Sequence, residues 1–221
     1  MHCLQSFKQR HQTVQHEAFL DTNIPYVTLY TLLTTEPSTA AVEFEYLGSL
    51  REFRTLFLCQ EKQSRRMLVV KFVTRYSPAA HLDCARRGCA PQLYGFEEAP
   101  GGWYMVVMEY LSPELYGPFT LSSNKGLIRD ATMQHITTLH EHGYVHGDVR
   151  RPNILIGANN FIKLVDLDWA DKIGEARYPT LVNPSLDGFN RPDGAEDKRL
   201  ITVEHDLEMV EHLLIDPPSW W

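Results

Sequence analysis

Long apolar runs are missing from this sequence of 221 residues. Nothing in it approaches the roughly 18 consecutive apolar residues that a membrane-spanning helix needs. The first residues, with Lys8 and Arg10 ahead of a polar stretch, hold no secretory apolar core. The expectations are an intracellular location, cytoplasmic or nuclear, and no membrane partner. Basic charge is also in deficit: 21 Lys and Arg against 28 Asp and Glu give a formal charge of -7. Such a surface repels a phosphate backbone, so nucleic acid is not an expected partner. Cysteine is scarce. Cys3, Cys59, Cys84 and Cys89 fit neither a disulfide framework nor paired zinc knuckles, and they read as reduced structural thiols. No internal repeat is present.

With 43% hydrophobic residues the chain can bury one or two sizeable cores. Residues 1 to about 40 are polar and interrupted by Pro25 and Pro37, and read as an extension without assignable chemistry. From Val42 the pattern changes to short strands, Val42–Leu50, Arg54–Gln60 and Met67–Thr74, a three-stranded meander. Leu93–Phe96 and Trp103–Tyr110 follow, joined by the Pro100-Gly101-Gly102 turn, so five strands precede the first long helix. That helix is expected from Ser122 or Ser123, as N-cap, to His142, with Gly143 as its stop. Ile128, Thr132, Ile136 and Leu139 make its buried stripe. A strand at Ile154–Ile156, a turn at Gly157–Asn160 and a strand at Phe161–Val165 come next. An irregular stretch from Asp168 to about Lys198 leads to a last helix, Thr202 to Leu214.

The chemistry concentrates in His146-Gly147-Asp148-Val149-Arg150-Arg151-Pro152-Asn153, followed past a hairpin by Lys163-Leu164-Val165-Asp166. Phosphoryl transfer needs a carboxylate to orient an acceptor hydroxyl and oxygen ligands for Mg²⁺. Asp148, Asn153 and Asp166 are of those types. A zinc or iron site from His140, His142, His146 and Asp148 is the competing reading of the same stretch, and the less economical one.

In the order His-x-Asp, four residues, Asn, hairpin, Asp, the stretch resembles the catalytic segment of the protein-kinase superfamily. The resemblance implies that Asp148 is the catalytic base, that Asn153 and Asp166 ligate Mg²⁺, and that Arg150 takes the place of a phosphate-contacting lysine. It extends over about residues 42 to 215. Lys71, in Val69-Val70-Lys71, matches the strand lysine on the nucleotide α- and β-phosphates; an edge-strand lysine reaching water is the plainer alternative. Met108-Glu109-Tyr110-Leu111 looks like the hinge, with main-chain groups of Glu109 and Leu111 meeting adenine. His205-Asp206 resembles the pair with which a helix buttresses the catalytic loop. Asp166-Leu167-Asp168-Trp169-Ala170 and Gly174-Glu175-Ala176-Arg177-Tyr178-Pro179 look most like fungal kinase-like proteins.

Three departures bear on activity. Between Leu47 and Phe57 only Gly48 is a glycine, so no glycine-rich phosphate loop is recognisable. The region after Lys71 has no Glu to pair with it, leaving Asp83 as a substitute of shorter reach. Gly147 stands where the common pattern has Arg, which removes the usual reader of an activation-loop phosphate. The chain also has no clear Ala-Pro-Glu signature and ends at Trp221, soon after Asp206. The resemblance implies a small two-lobed α+β fold: an N-terminal extension (1–41), a five-stranded antiparallel N-lobe (42–110) and a reduced, mainly helical C-lobe (111–221). It further implies an ATP- and Mg²⁺-dependent kinase acting on a hydroxyl, with protein Ser/Thr as the expected acceptor. The alternatives are a catalytically inactive module that binds nucleotide or protein, and an incomplete C-lobe with exposed apolar surface.

Overall fold

The computed structural model describes residues 25–33, 41–50, 55–120, 123–186 and 189–215. Two compact units divide the chain, one holding the residues up to Arg75 together with Leu93–Tyr110, the other Tyr76–Gln92 and the residues from Leu111 onward.

The first unit is an antiparallel sheet of six strands, not five. β1 (Leu29–Thr31) lies inside the expected extension and pairs with β2 (Ala41–Ser49). β3 (Leu56–Glu61), β4 (Met67–Val73), β5 (Leu93–Ala99) and β6 (Trp103–Glu109) complete the order β1-β2-β3-β4-β6-β5. Alternate side chains of neighbouring strands face one side, and here they form an aromatic row. Ring centroids of Tyr30 and Phe44 are 6.2 Å apart, Phe44 and Tyr46 5.4 Å, Tyr46 and Phe57 5.3 Å, and Phe57 and Phe72 6.1 Å. Each such pair adds about 0.5–1.5 kcal/mol beyond area burial. Tyr30 explains why so short a strand is held: its hydroxyl donates to the buried Glu61 carboxylate at 2.6 Å, and its ring lies where a Cβ on Gly95 would come within 2.6 Å. Only glycine fits there. The N–H of Leu33 donates to Tyr94 O at 2.7 Å, which ties the β1 end of the sheet to β5.

The second unit is less helical than expected: its α-helices alternate with short strands and irregular chain. α1 (Pro78–Arg86) begins with Pro at its first turn, where a missing N–H costs nothing. β7 (Gly117–Pro118) joins a small sheet described below. α2 (Lys125–Glu141) starts one to two residues later than expected, because Asn124 is the cap: its side chain accepts from Leu127 N. The hydroxyl of Ser123 instead accepts from Thr120 N, and Ser122 lies outside the described residues. The stripe Ile128, Thr132, Ile136 and Leu139 is fully buried. Gly143 ends the helix with φ +87°, a conformation glycine adopts without cost. β8 (Tyr144–Val145), β9 (Ile154–Ile156) and β10 (Ile162–Leu164) follow. β10, β9 and β7 form the small antiparallel sheet, whereas β8 pairs with β11 (Asp171–Lys172).

The stretch expected to be irregular carries one further hairpin, β12 (Ser185–Leu186) and β13 (Phe189–Asn190). α3 (Val203–His212) opens with a capping box between Thr202 and His205. Its Met209 and Val210 close a core with Ile136, Leu139, Ile154 and Ile162. The expectations for residues 1–24 lie outside the described residues. Among the described residues no helix is long and apolar enough to cross a membrane.

Candidate active site

The loop from His146 to Asn153 hangs from one buried carboxylate. Asp206, in the first turn of α3, accepts from His146 N and Gly147 N, both at 2.7 Å, and meets His140 Nε2 at 3.0 Å. Two consecutive N–H groups on one carboxylate fix the loop's direction just before Asp148. His205, named with Asp206 as a buttressing pair, acts elsewhere, capping its own helix and meeting the Tyr178 hydroxyl at 3.2 Å. Gly147 is at φ +83°, and a Cβ there would sit 2.7 Å from Ile201 Cδ1 and 3.3 Å from Trp169 Cβ. That conformation and that crowding account for glycine where the common pattern has Arg.

Asp148 is buried and both its oxygens are hydrogen-bonded. Oδ2 accepts from Arg150 Nε at 2.9 Å and Asn153 Nδ2 at 2.8 Å, and Oδ1 accepts from Arg191 Nη2 at 2.7 Å. Asn153 Nδ2 also donates to the Asp148 carbonyl at 2.9 Å. With two acceptors on Nδ2, the amide orientation is settled by its bonds. Asn153 Oδ1 is therefore a buried oxygen, and it has no hydrogen-bond partner. Asp166 adopts the left-handed region, φ 65° and ψ 54°, right after the β9–β10 hairpin. Asp tolerates that conformation better than most residues, and strained backbone of this kind clusters at functional sites.

Asp148, Arg150, Asp166, Asp168 and Arg191 line a cavity of about 250 Å³ with Trp169, Leu181, Val182 and Asn183. Burial, then the negative charges of Asp168 and Asp166, push the Tyr76 hydroxyl well above its ordinary range, so proton loss there is opposed by the same carboxylates. Mg²⁺ favours hard oxygen ligands, and commonly takes one or two carboxylates with substrate phosphates. The partnerless Asn153 Oδ1 and the carboxylate of Asp166 fit that donor chemistry. Among the described residues no three or more His, Cys, Asp or Glu converge on a metal site. The histidines of the zinc or iron reading diverge: His140 meets Asp206, His142 meets Asp83 at 2.6 Å, and His146 Nδ1 accepts the Asp148 N–H.

The second unit thus brings Asp148, Arg150 and Asn153 into one bonded group, and Asp148 and Arg150, but not Asn153, line the cavity with Asp166. Leu111 belongs to this unit, whereas Lys71 and Glu109 stand on the sheet unit. Lys71 is on β4, between β3 and β6, so it is not an edge-strand lysine. Glu109 ends β6 opposite Leu68. Asp83, offered as the partner of Lys71, belongs to the second unit, where Oδ2 accepts from Arg87 at 2.7 and 3.1 Å and Oδ1 meets His142. The phosphate-loop expectation falls partly on residues 51–54, outside the described residues. Arg191 was missed by sequence reasoning. It lies 43 residues from Asp148 in a Pro-, Gly- and Asn-rich stretch, and nothing local marks it.

No protein-family model and no curated protein matches the sequence. Among solved structures, the PK-1 kinase of Cydia pomonella granulovirus is similar with a TM-score of 0.59 and 19% identity, covering 77% of this chain and 68% of that one. Vaccinia related kinase 3 is similar with a TM-score of 0.54 and 14% identity, covering 92% of this chain and 72% of that one. At these identities the likeness is one of fold, and the fold is protein-kinase-like.

Proposed function

We propose that the chain is an ATP- and Mg²⁺-dependent phosphotransferase that moves the γ-phosphoryl of ATP to a hydroxyl, with a protein Ser or Thr as the favoured acceptor. The observation that carries the reading is the joint state of Asp148 and Asn153. One amide group braces the candidate base through Nδ2 and leaves Oδ1 as a buried oxygen without a partner. In the proposed reaction Asp148 orients the acceptor hydroxyl and takes its proton, and Arg150 balances charge beside it. Asn153 and Asp166 hold the metal, and Lys71 with main-chain groups of Glu109 and Leu111 holds the nucleotide. Bound Mg²⁺ supplies neutralisation of phosphate charge. The likeness of the Asp166–Ala170 and Gly174–Pro179 segments to fungal kinase-like proteins belongs to the same proposal.

The second reading, a nucleotide- or protein-binding module without transfer, is favoured by one observation: both oxygens of Asp148 are already hydrogen-bonded. Steady-state ADP release from Mg·ATP separates the two. Under the first reading Asp148→Asn lowers turnover by roughly 10²–10⁴-fold, the usual contribution of a positioned base. Equal turnover in the two proteins would sink it.

A further inference from the structure

Arg191 is the least expected member of the cavity. Its side chain is only 5% exposed, and every part of it is held. Nη2 donates to Asp148 Oδ1 at 2.7 Å and Nε to the Asn183 carbonyl at 3.0 Å, and the guanidinium lies 4.7 Å from the centroid of Trp169. Nη1 lies 3.9 Å from the sulfur of Met209. A guanidinium both stacked and hydrogen-bonded to a carboxylate is a built contact rather than a loose surface pair.

The donors to Asp148 differ in origin. Those on Oδ2 come from the loop itself, two and five residues further along the chain. Oδ1 is held by a residue from a separate strap. That strap is closed on itself, because β12 pairs with β13 and Arg191 N donates to the Pro184 carbonyl at 2.8 Å. Just ahead of it, Leu181 N and Val182 N donate to the Asp197 carboxylate at 2.9 and 2.8 Å. While Arg191 stays in place, the oxygen left for an acceptor is already hydrogen-bonded to its guanidinium.

We propose that Arg191 gates the candidate base: its guanidinium occupies the one carboxylate oxygen of Asp148 that the loop does not use, and transfer begins when Arg191 releases it. The inference rests on the phosphotransferase reading above. With water as acceptor, a bond forms between the water oxygen and the γ-phosphorus while the bond to the β–γ bridging oxygen breaks. The water proton passes to Asp148, and ADP and inorganic phosphate leave.

The test measures ADP release from Mg·ATP without added acceptor, and nucleotide affinity by calorimetry, on the same full-length preparations. Arg191→Met keeps an unbranched side chain against Trp169 and removes the charge and the donors. It is expected to raise turnover by about tenfold or more, with ATP affinity within about twofold. Adding Asp148→Asn should abolish the gain. Arg191→Lys, which keeps the charge but not the planar fork, should fall between wild type and Met, and carries the test if the Met variant does not fold. Measurable wild-type turnover that is unchanged or lowered in Arg191→Met, with Mg·ATP still bound, would overturn the gate and leave the phosphotransferase reading standing; Mg·ATP bound with no turnover in any form would overturn both. Absence of Mg·ATP binding in every form would overturn that reading, and the gate with it.

Discussion

Asp206 gives the sharpest energetic prediction. It is wholly buried, accepts from two backbone N–H groups at the start of the loop that carries Asp148, and meets the imidazole of His140 on α2. Asp206→Ala leaves those groups buried without their acceptor. A hydrogen bond to a charged group contributes about 1.5–3 kcal/mol, and a simple sum overstates the loss because the loop relaxes. Breaking a buried charged contact costs about 3–5 kcal/mol, a large part of the roughly 5–15 kcal/mol of a typical domain. With a urea slope of about 2 kcal/mol/M, the midpoint should fall by roughly 2 M. Asp206→Asn keeps one carbonyl oxygen but turns an NH₂ group toward an N–H, so its loss should be intermediate. Urea titrations of the three proteins decide the matter. A loss below about 1 kcal/mol in Asp206→Ala would refute the idea that one carboxylate holds the loop.

Other consequences can be measured on the same material. Gly147→Ala puts a Cβ against Ile201 at positive φ, for a cost of about 1–2 kcal/mol from conformation and more from crowding; Ile201→Ala in the same chain should recover part of it, and no recovery would point to conformation alone. Tyr30→Phe deletes the hydroxyl on Glu61 and should destabilise by about 1–2 kcal/mol, with faster amide exchange in β1; unchanged exchange would contradict the account of the sixth strand. Burial acts to raise the Asp83 carboxyl, but the hydrogen bonds from His142 and Arg87 outweigh it and hold the group below its ordinary range. A depressed carboxyl contributes stability that is present above its unfolded value, near about 4, and is lost as pH falls through the folded one. Asp83→Asn should flatten the acid limb of the stability profile, and an unaltered slope would argue against these bonds in solution.

What could be read from the sequence was local. His146 to Asn153 and Asp166 lie on one loop and the hairpin after it, and it was the resemblance of that stretch to the kinase catalytic segment that implied a shared site. Ile128, Thr132, Ile136 and Leu139 announced the buried face of α2 because a helix repeats about every 3.6 residues. What escaped depended on distant partners. Leu29–Thr31 is too short to declare itself a strand, and becomes one because Tyr30 finds Glu61 and Gly95. Asn124 is as good a cap as the serines before it, and only the Leu127 N–H identifies it. The bonds of Asp83 to Arg87 and His142 escaped because one partner lies 59 residues further along the chain. Arg191 escaped because a charged residue in an irregular stretch reads as solvated until its carboxylate is known.

Calorimetric titration with ATP, with and without Mg²⁺, on wild type and Asp166→Asn tests the central claim most directly, since it asks for site assembly before any acceptor is known. The account predicts Mg²⁺-dependent binding to wild type, weakened by the substitution; folded protein that binds no ATP, or binds it equally in both forms and without regard to Mg²⁺, would contradict it.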